Sequence, residues 1–213
     1  MPSPARLSFR RPSGADKGED IVPAELLIAV RWVHFVAGIT WIGLLYFFNF
    51  VNVRALATID ATARPHVVTT LLPRALAWFR HSAWVTVLAG LVLIYGLYWQ
   101  RGDFVDSFAA RTIFTGMLLG LAMLANVWFV IWPNQRKIIE ATRAAQKPDP
   151  AWGRRALYAS RANFTMSFPM LFFMAGAAHY ALDWPGIVIV GLVLAALGLG
   201  TVLTVQKWWA PRF

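Results

Sequence analysis

Arg31-Trp32-Val33-His34-Phe35-Val36-Ala37-Gly38-Ile39-Thr40-Trp41-Ile42-Gly43 lies inside an apolar run that extends from Leu26 to Val53. A run of that length can cross a hydrocarbon layer about 30 Å thick, yet this one carries an arginine and a histidine, both costly in lipid. At 1.5 Å per residue His34 lies about 12 Å inward from Leu26, below the headgroups, and Arg31 is one turn nearer the surface. Stepping 100° per residue from His34 gathers Gly38, Trp41, Leu45, Phe48 and Asn52 on one stripe, with Arg31 and Asn49 about 60° away. That stripe should face the interior of a bundle, because lipid satisfies no polar group.

Four further apolar windows follow: Ala75 to Trp99, Thr112 to Trp132, Asn163 to Leu182 and Ile187 to Gln206. With 58% hydrophobic residues and a mean hydropathy of +0.54, the chain reads as an all-α polytopic membrane bundle of about five transmembrane helices. A flexible arm is expected at 1–24, where Pro2, Pro4, Pro12 and Gly14 interrupt any apolar period, and no signal core is present. One transmembrane domain is expected over 25–213, with a basic connector at 133–161. The second helix is expected to begin near Pro73, leaving His66 in a solvated loop. The third is expected to stop at Trp132-Pro133, and the fourth to run through Pro169 to Tyr180.

The net charge of +10 is distributed by membrane side rather than gathered on one soluble face, which excludes nucleic acid as a partner. Five spans place thirteen Lys and Arg residues on the side of the connector and C-terminus and six on the other, with Arg31 left out as intramembrane. The positive-inside rule then puts the N-terminus outside and the C-terminus in the cytoplasm. A bacterial cytoplasmic, or inner, membrane is the expected location. The chain has no cysteine, which removes disulfides, thiolate metal sites and covalently attached c-type haem.

His34 and His179 both fall in the outer half of the membrane on antiparallel helices. Two neutral imidazoles can ligate one haem b, which makes His34 and His179 candidate iron ligands. Gly38 and Gly176 would admit the macrocycle, Trp41 would flank it, and Arg31 would pair a propionate. His81 is an alternative ligand in the cytoplasmic half. The competing reading keeps His34 as a core histidine bonded to Asn126 or to a carbonyl, and His179 as an interfacial residue beside Tyr180. Gly116 and Gly120 form a small-x-x-x-small packing pair, and Gly186, Gly191, Gly198 and Gly200 mark the last helix as a packing element.

The first helix segment above, together with Leu72-Pro73-Arg74-Ala75-Leu76-Ala77-Trp78-Phe79, Asn126-Val127-Trp128-Phe129-Val130-Ile131-Trp132-Pro133-Asn134-Gln135 and Phe168-Pro169-Met170-Leu171-Phe172-Phe173-Met174, resembles the membrane domain of bacterial urate hydroxylases. The resemblance implies a membrane-bound oxidoreductase of purine catabolism that converts urate to 5-hydroxyisourate. Full-length members carry a C-terminal cytochrome c domain, whereas this sequence ends at Phe213 without one. Asn126 and Arg31 are the expected polar contacts for a purine. A cytochrome c or quinone is the expected electron partner, beside the lipid bilayer and a second copy of the chain in a homo-oligomer. A rival from another class is a non-catalytic membrane subunit or assembly factor that docks a partner through the basic connector. Helix 1 is also loosely similar, through His34, Trp41 and Gly43, to haem-binding membrane proteins of the protoporphyrinogen oxidase and copper-resistance type, a fold-level analogy only.

Overall fold

The computed structural model describes residues 22–100, 107–177, 179, 180 and 182–208. The expected N-terminal arm up to residue 21, the outer loop with Asp103 and Asp106, and Arg212 lie outside the described residues. Helix α1 (Ala24–Phe47) passes through a π-helical turn (Phe48–Asn52) into α2 (Val53–Thr58), and α3 (Arg64–Ile94) ends in a second π-turn (Tyr95–Trp99). Helix α4 (Phe108–Asn126) continues through a third π-turn (Val127–Ile131) into α5 (Trp132–Arg143). Helices α6 (Pro150–Gly176) and α7 (Trp184–Trp208) complete an all-α bundle with no strand among the described residues.

Four rods are long and apolar enough to cross a membrane: Ala24–Thr58, Arg64–Trp99, Phe108–Arg143 and Trp184–Thr204. The chain is therefore a membrane protein. The first three are 35, 36 and 36 residues long. At 1.5 Å per residue each exceeds 50 Å, about 20 Å more than a hydrocarbon core needs. The surplus lies at the end carrying the turns at 59–63 and 144–149, where Arg54, Arg64, Arg74, Arg136, Lys137, Arg143, Lys147, Arg154 and Arg155 collect.

Helix α6 is the least apolar of the long helices because its neighbours cover it. It packs against α4, α5 and α7 and touches α1. Asn163, Phe164, Ser167, Pro169, Met170 and Phe173 are buried. Pro169 has no N–H to give the Thr165 carbonyl one turn back. Against that carbonyl α7 sets Gly198, where an added Cβ would lie 3.0 Å from the Thr165 oxygen and 3.1 Å from Phe168. The glycine thus lets the two helices close over the proline. Gly116 serves α4 and α6 in the same way, at 3.2 Å from Phe173 Cβ, while Gly120 faces open space. The main core runs through Trp41, Leu45, Phe48, Leu72, Leu76, Phe79, Met123, Val127, Ile131 and Met170.

Three helix boundaries differ from the sequence expectation. Helix α3 begins at Arg64 rather than near Pro73, so His66 sits in its first turn and Pro73 is interior. Pro65 is the true start signal, since its fixed φ suits a first turn and its missing N–H costs nothing there. Burial of Val68, Leu72 and Leu76 then carries the helix through Pro73. The third rod does not stop at Trp132-Pro133. Pro133 occupies the first turn of α5 after the π-turn, and buried Asn134 donates its side-chain N–H to the Val130 carbonyl at 2.7 Å. The expected connector is consequently a helical hairpin, α5 and the start of α6, joined by a short turn. Helix α6 ends at Gly176, and His179 lies beyond it in a turn whose His179 and Tyr180 N–H groups donate to the Gly176 carbonyl.

Candidate functional site

On α1 the stripe that begins at His34 packs against α3. The His34 ring rests on Gly90, where a Cβ would meet Cε1 at 3.0 Å and Nδ1 at 3.3 Å. His34 Nδ1 lies 2.8 Å from the Thr86 carbonyl oxygen. A carbonyl only accepts, so Nδ1 carries the proton and Nε2 of the neutral ring keeps its lone pair. That is the tautomer a metal-ligating histidine adopts, with the far nitrogen oriented by a carbonyl. Of the two partners that the competing core-histidine reading allowed, Asn126 or a carbonyl, it is a carbonyl that His34 meets, and it belongs to α3.

The other expected site residues distribute as follows. Gly38 faces α3, where a Cβ would lie 3.7 Å from Thr86 Cγ2. Trp41, one helical turn further, is 1% exposed in the core, and its indole Nε1 has no hydrogen-bond partner. Arg31 is exposed, within electrostatic reach of Tyr98. His179 is exposed, and Gly176 has only its own helix's Phe172 ring nearby. Among the described residues no hydrogen bond or ring contact joins His34 to His179, and no group of three or more His, Asp and Glu side chains gathers at one point. Because α6 ends at Gly176, His179 does not continue its helical register, and the expected helix-face pairing of the two is absent.

A polar layer that the sequence reading treated only in part lies deeper, where both inner π-turns meet α6. Asn126 donates to the Ala159 carbonyl and to Asn163 Oδ1, each at 2.8 Å. Asn163, fully buried, donates back to the Met123 carbonyl at 3.0 Å. Both N–H bonds of Asn126 are thus committed to α6. Asn49, at the π-turn after α1, donates to Ser160 Oγ at 2.9 Å and to the Leu45 carbonyl. Ser167 gives its proton to the Phe164 carbonyl at 2.6 Å, so the Tyr46 hydroxyl donates to Ser167 Oγ at 3.1 Å. Asn49 and Asn126 were legible as polar residues in apolar helices; their common partner helix was not.

A third cluster surrounds His81. The Arg80 guanidinium stacks 3.9 Å over the Trp132 ring and lies 5.7 Å from that of Trp128. Arg80 Nε donates to His81 Nε2 at 3.3 Å, and the rings of His81 and Trp84 meet Trp128 edge-on at 6.2 and 6.0 Å. The lone pair of His81 that a metal would use is therefore engaged by an arginine.

A family model described as urate oxidase N-terminal matches residues 103–212, a little over half of the chain. No curated protein and no solved structure matches. The matched part runs from the approach to α4 through α7 and holds the Asn126–Gln135 and Phe168–Met174 blocks, while α1 and its His34 stripe precede it. Membrane-crossing rods, an α6 clasped by asparagines and this match converge on one conclusion: the chain is a membrane protein that belongs to the urate oxidase N-terminal family.

Proposed function

We propose that the protein is a redox protein of the bacterial inner membrane, of the urate hydroxylase type, that holds haem b through His34 and takes part in urate oxidation. The observation that carries the reading is the His34 tautomer, seated on Gly90 with Nδ1–H on the Thr86 carbonyl and Nε2 left as a donor to iron. Membership of the urate oxidase N-terminal family supports an oxidation of urate as the reaction. His179, in the segment after α6, would give the second iron ligand, and Arg31 a counter-ion for a propionate. When bound, haem b supplies one-electron chemistry. Urate plus water yields 5-hydroxyisourate with release of two protons and two electrons, so an acceptor is required, and a quinone, or two molecules of a cytochrome c, would fill that role.

A reduced-minus-oxidised spectrum of the purified chain tests this, measured beside His34→Ala, His179→Ala and His81→Ala. A b-type band lost in His34→Ala and His179→Ala and kept in His81→Ala is expected. A colourless wild type would remove the haem reading, and loss only in His81→Ala would move the site to the other half of the membrane.

A second reading rests on a separate observation. The α5–α6 hairpin exposes Arg136, Lys137, Arg143, Arg154 and Arg155 against only Glu140 and Asp149. A subunit that docks an acidic partner there would copurify with it, and Arg154→Glu with Arg155→Glu would release it while leaving any haem band intact.

A further inference from the structure

The Arg80 cluster has no role in the redox reading, and its chemistry is one-sided. Arg80 presents a guanidinium, and the sole ion pair among the described residues, Arg136 with Glu140 at 2.7 Å, does not involve it. His81 accepts from Arg80 at Nε2, which leaves its Nδ1 as an N–H donor when the ring is neutral. The Trp128 indole Nε1 is buried with no hydrogen-bond partner. Every hydrogen-bonding group left over in the cluster is a donor, and the charge is positive. Such a set is complementary to an oxyanion.

Depth selects the kind of oxyanion. Ser82 to Trp99 is an uncharged stretch of 18 residues that reaches the far end of the α3 rod. At 1.5 Å per residue it measures about 27 Å, the thickness of the hydrocarbon layer. Arg80 and His81 therefore stand at headgroup level, on the side where the basic residues collect. From the cluster toward the membrane interior α3 exposes Trp84, Val85, Leu88 and Leu91, and the neighbouring rod exposes Phe129 and Leu118. An exposed apolar surface that begins beside a cationic, donor-only cluster suits a ligand with a phosphate head and acyl tails.

We propose that Arg80, His81 and Trp128 form a binding site for the phosphate of an anionic phospholipid, whose chains lie along Trp84, Leu88 and Leu118. The stack of Arg80 on Trp132 aims the guanidinium, since a planar cation held over an indole loses little further freedom on pairing with phosphate. Lipid held there would tie α3 to the third rod where α4 passes into α5.

The test is native mass spectrometry of the full chain in detergent, titrated with phosphatidylglycerol and, separately, with phosphatidylcholine or inorganic phosphate. Wild type is expected to retain phosphatidylglycerol in preference to phosphatidylcholine. Arg80→Gln should weaken that retention by about five- to tenfold, the worth of one basic residue at an anionic surface. Replacing Trp128 by 3-benzothienylalanine keeps a bicyclic ring of the same shape and removes only the N–H, so a loss there reports the donor itself, while Trp128→Phe, checked to elute as a folded monodisperse species, removes the donor together with part of the ring. Arg136→Gln, outside the cluster, should bind as wild type does. Equal retention of both lipids, or unchanged retention in both Arg80→Gln and Trp128→Phe, would overturn the site. Displacement of phosphatidylglycerol by millimolar inorganic phosphate would overturn its assignment to lipid.

Discussion

His34 is a packing element whose packing contact also decides which ring nitrogen is left free. Its ring fills the space that Gly90 leaves on α3, and the same contact sets its tautomer. Gly90→Val places a branched side chain where Cε1 already lies 3.0 Å from the Cβ position, so the imidazole must leave its seat. Overpacking of this sort costs about 1–3 kcal/mol, so a lowered unfolding temperature in detergent is expected, and, if the proposed haem is held there, a displaced or lost haem band with it. Gly120→Val on α4, which faces open space, should leave the band in place. A histidine in an apolar helix was legible in the sequence; its carbonyl partner 52 positions away was not, because nothing local encodes a helix pairing. Asp60 is a residue of another kind. Its Oδ1 accepts from the Thr62 hydroxyl at 2.6 Å and the Thr62 N–H at 2.7 Å, and these bonds hold the carboxyl below its ordinary range. Because the folded pKa is depressed, the turn's extra order is present above the unfolded carboxylate value and lost as pH falls through the lower, folded one. Hydrogen-exchange protection of the Thr62 amide should decline in that acid window, and Asp60→Asn should remove the dependence. Unchanged protection across the window would show that the turn does not rest on this carboxylate.

Helices α4 and α6 are joined by a reciprocal asparagine clasp. Asn126 reaches the Ala159 carbonyl and Asn163, and Asn163 reaches the Met123 carbonyl. The clasp sits just before the Val127–Ile131 π-turn, where the helix widens and its backbone bonds are re-registered. Replacing Asn126 by Leu leaves Asn163 Oδ1 without that donor in a buried layer. A double-mutant cycle of Asn126→Leu and Asn163→Leu should give a coupling of about 1 kcal/mol, within the range seen for hydrogen bonds between membrane helices. A coupling indistinguishable from zero would mean the two amides act independently. The polarity of Asn126 was plain from the sequence and pointed to a purine contact or to helix 1. What decided its partner was the rotation of α4 about its axis, which turns Gly116 and Asn126 toward α6 and leaves Ala122 and Ala125 exposed. Element ends followed the same logic. Pro73 and Pro133 read locally as breaks, yet burial of Leu72, Leu76 and Ile131 outweighs a local penalty of about 3 kcal/mol, and the side chain of Asn134 supplies one displaced backbone partner.

For the whole molecule, the three rods that outrun the bilayer place their basic ends on one side, which makes orientation a physical expectation. With the N-terminus outside, the turn at 59–63 and the turn at 144–149 face the cytoplasm. The chain has no cysteine, so single substitutions Ala61→Cys and Ser107→Cys provide clean reporters. In right-side-out vesicles an impermeant maleimide should label Ser107→Cys and spare Ala61→Cys until the membrane is opened; the reverse pattern would invert the topology. Composition and hydropathy alone determined that this is an all-α membrane protein, because the cost of an unsatisfied backbone in lipid leaves few other structures. Sequence also singled out His34, Arg31, Asn49 and Asn126 as polar groups that need a reason. Only the tertiary structure decided the partners of three of them, since His34 lies on α3 and the two asparagines close on α6; it likewise set Arg80 among tryptophans from another rod. Each such pairing joins residues dozens of positions apart, and their meeting depends on how whole helices rotate and pack, a property of the assembled bundle rather than of any one segment.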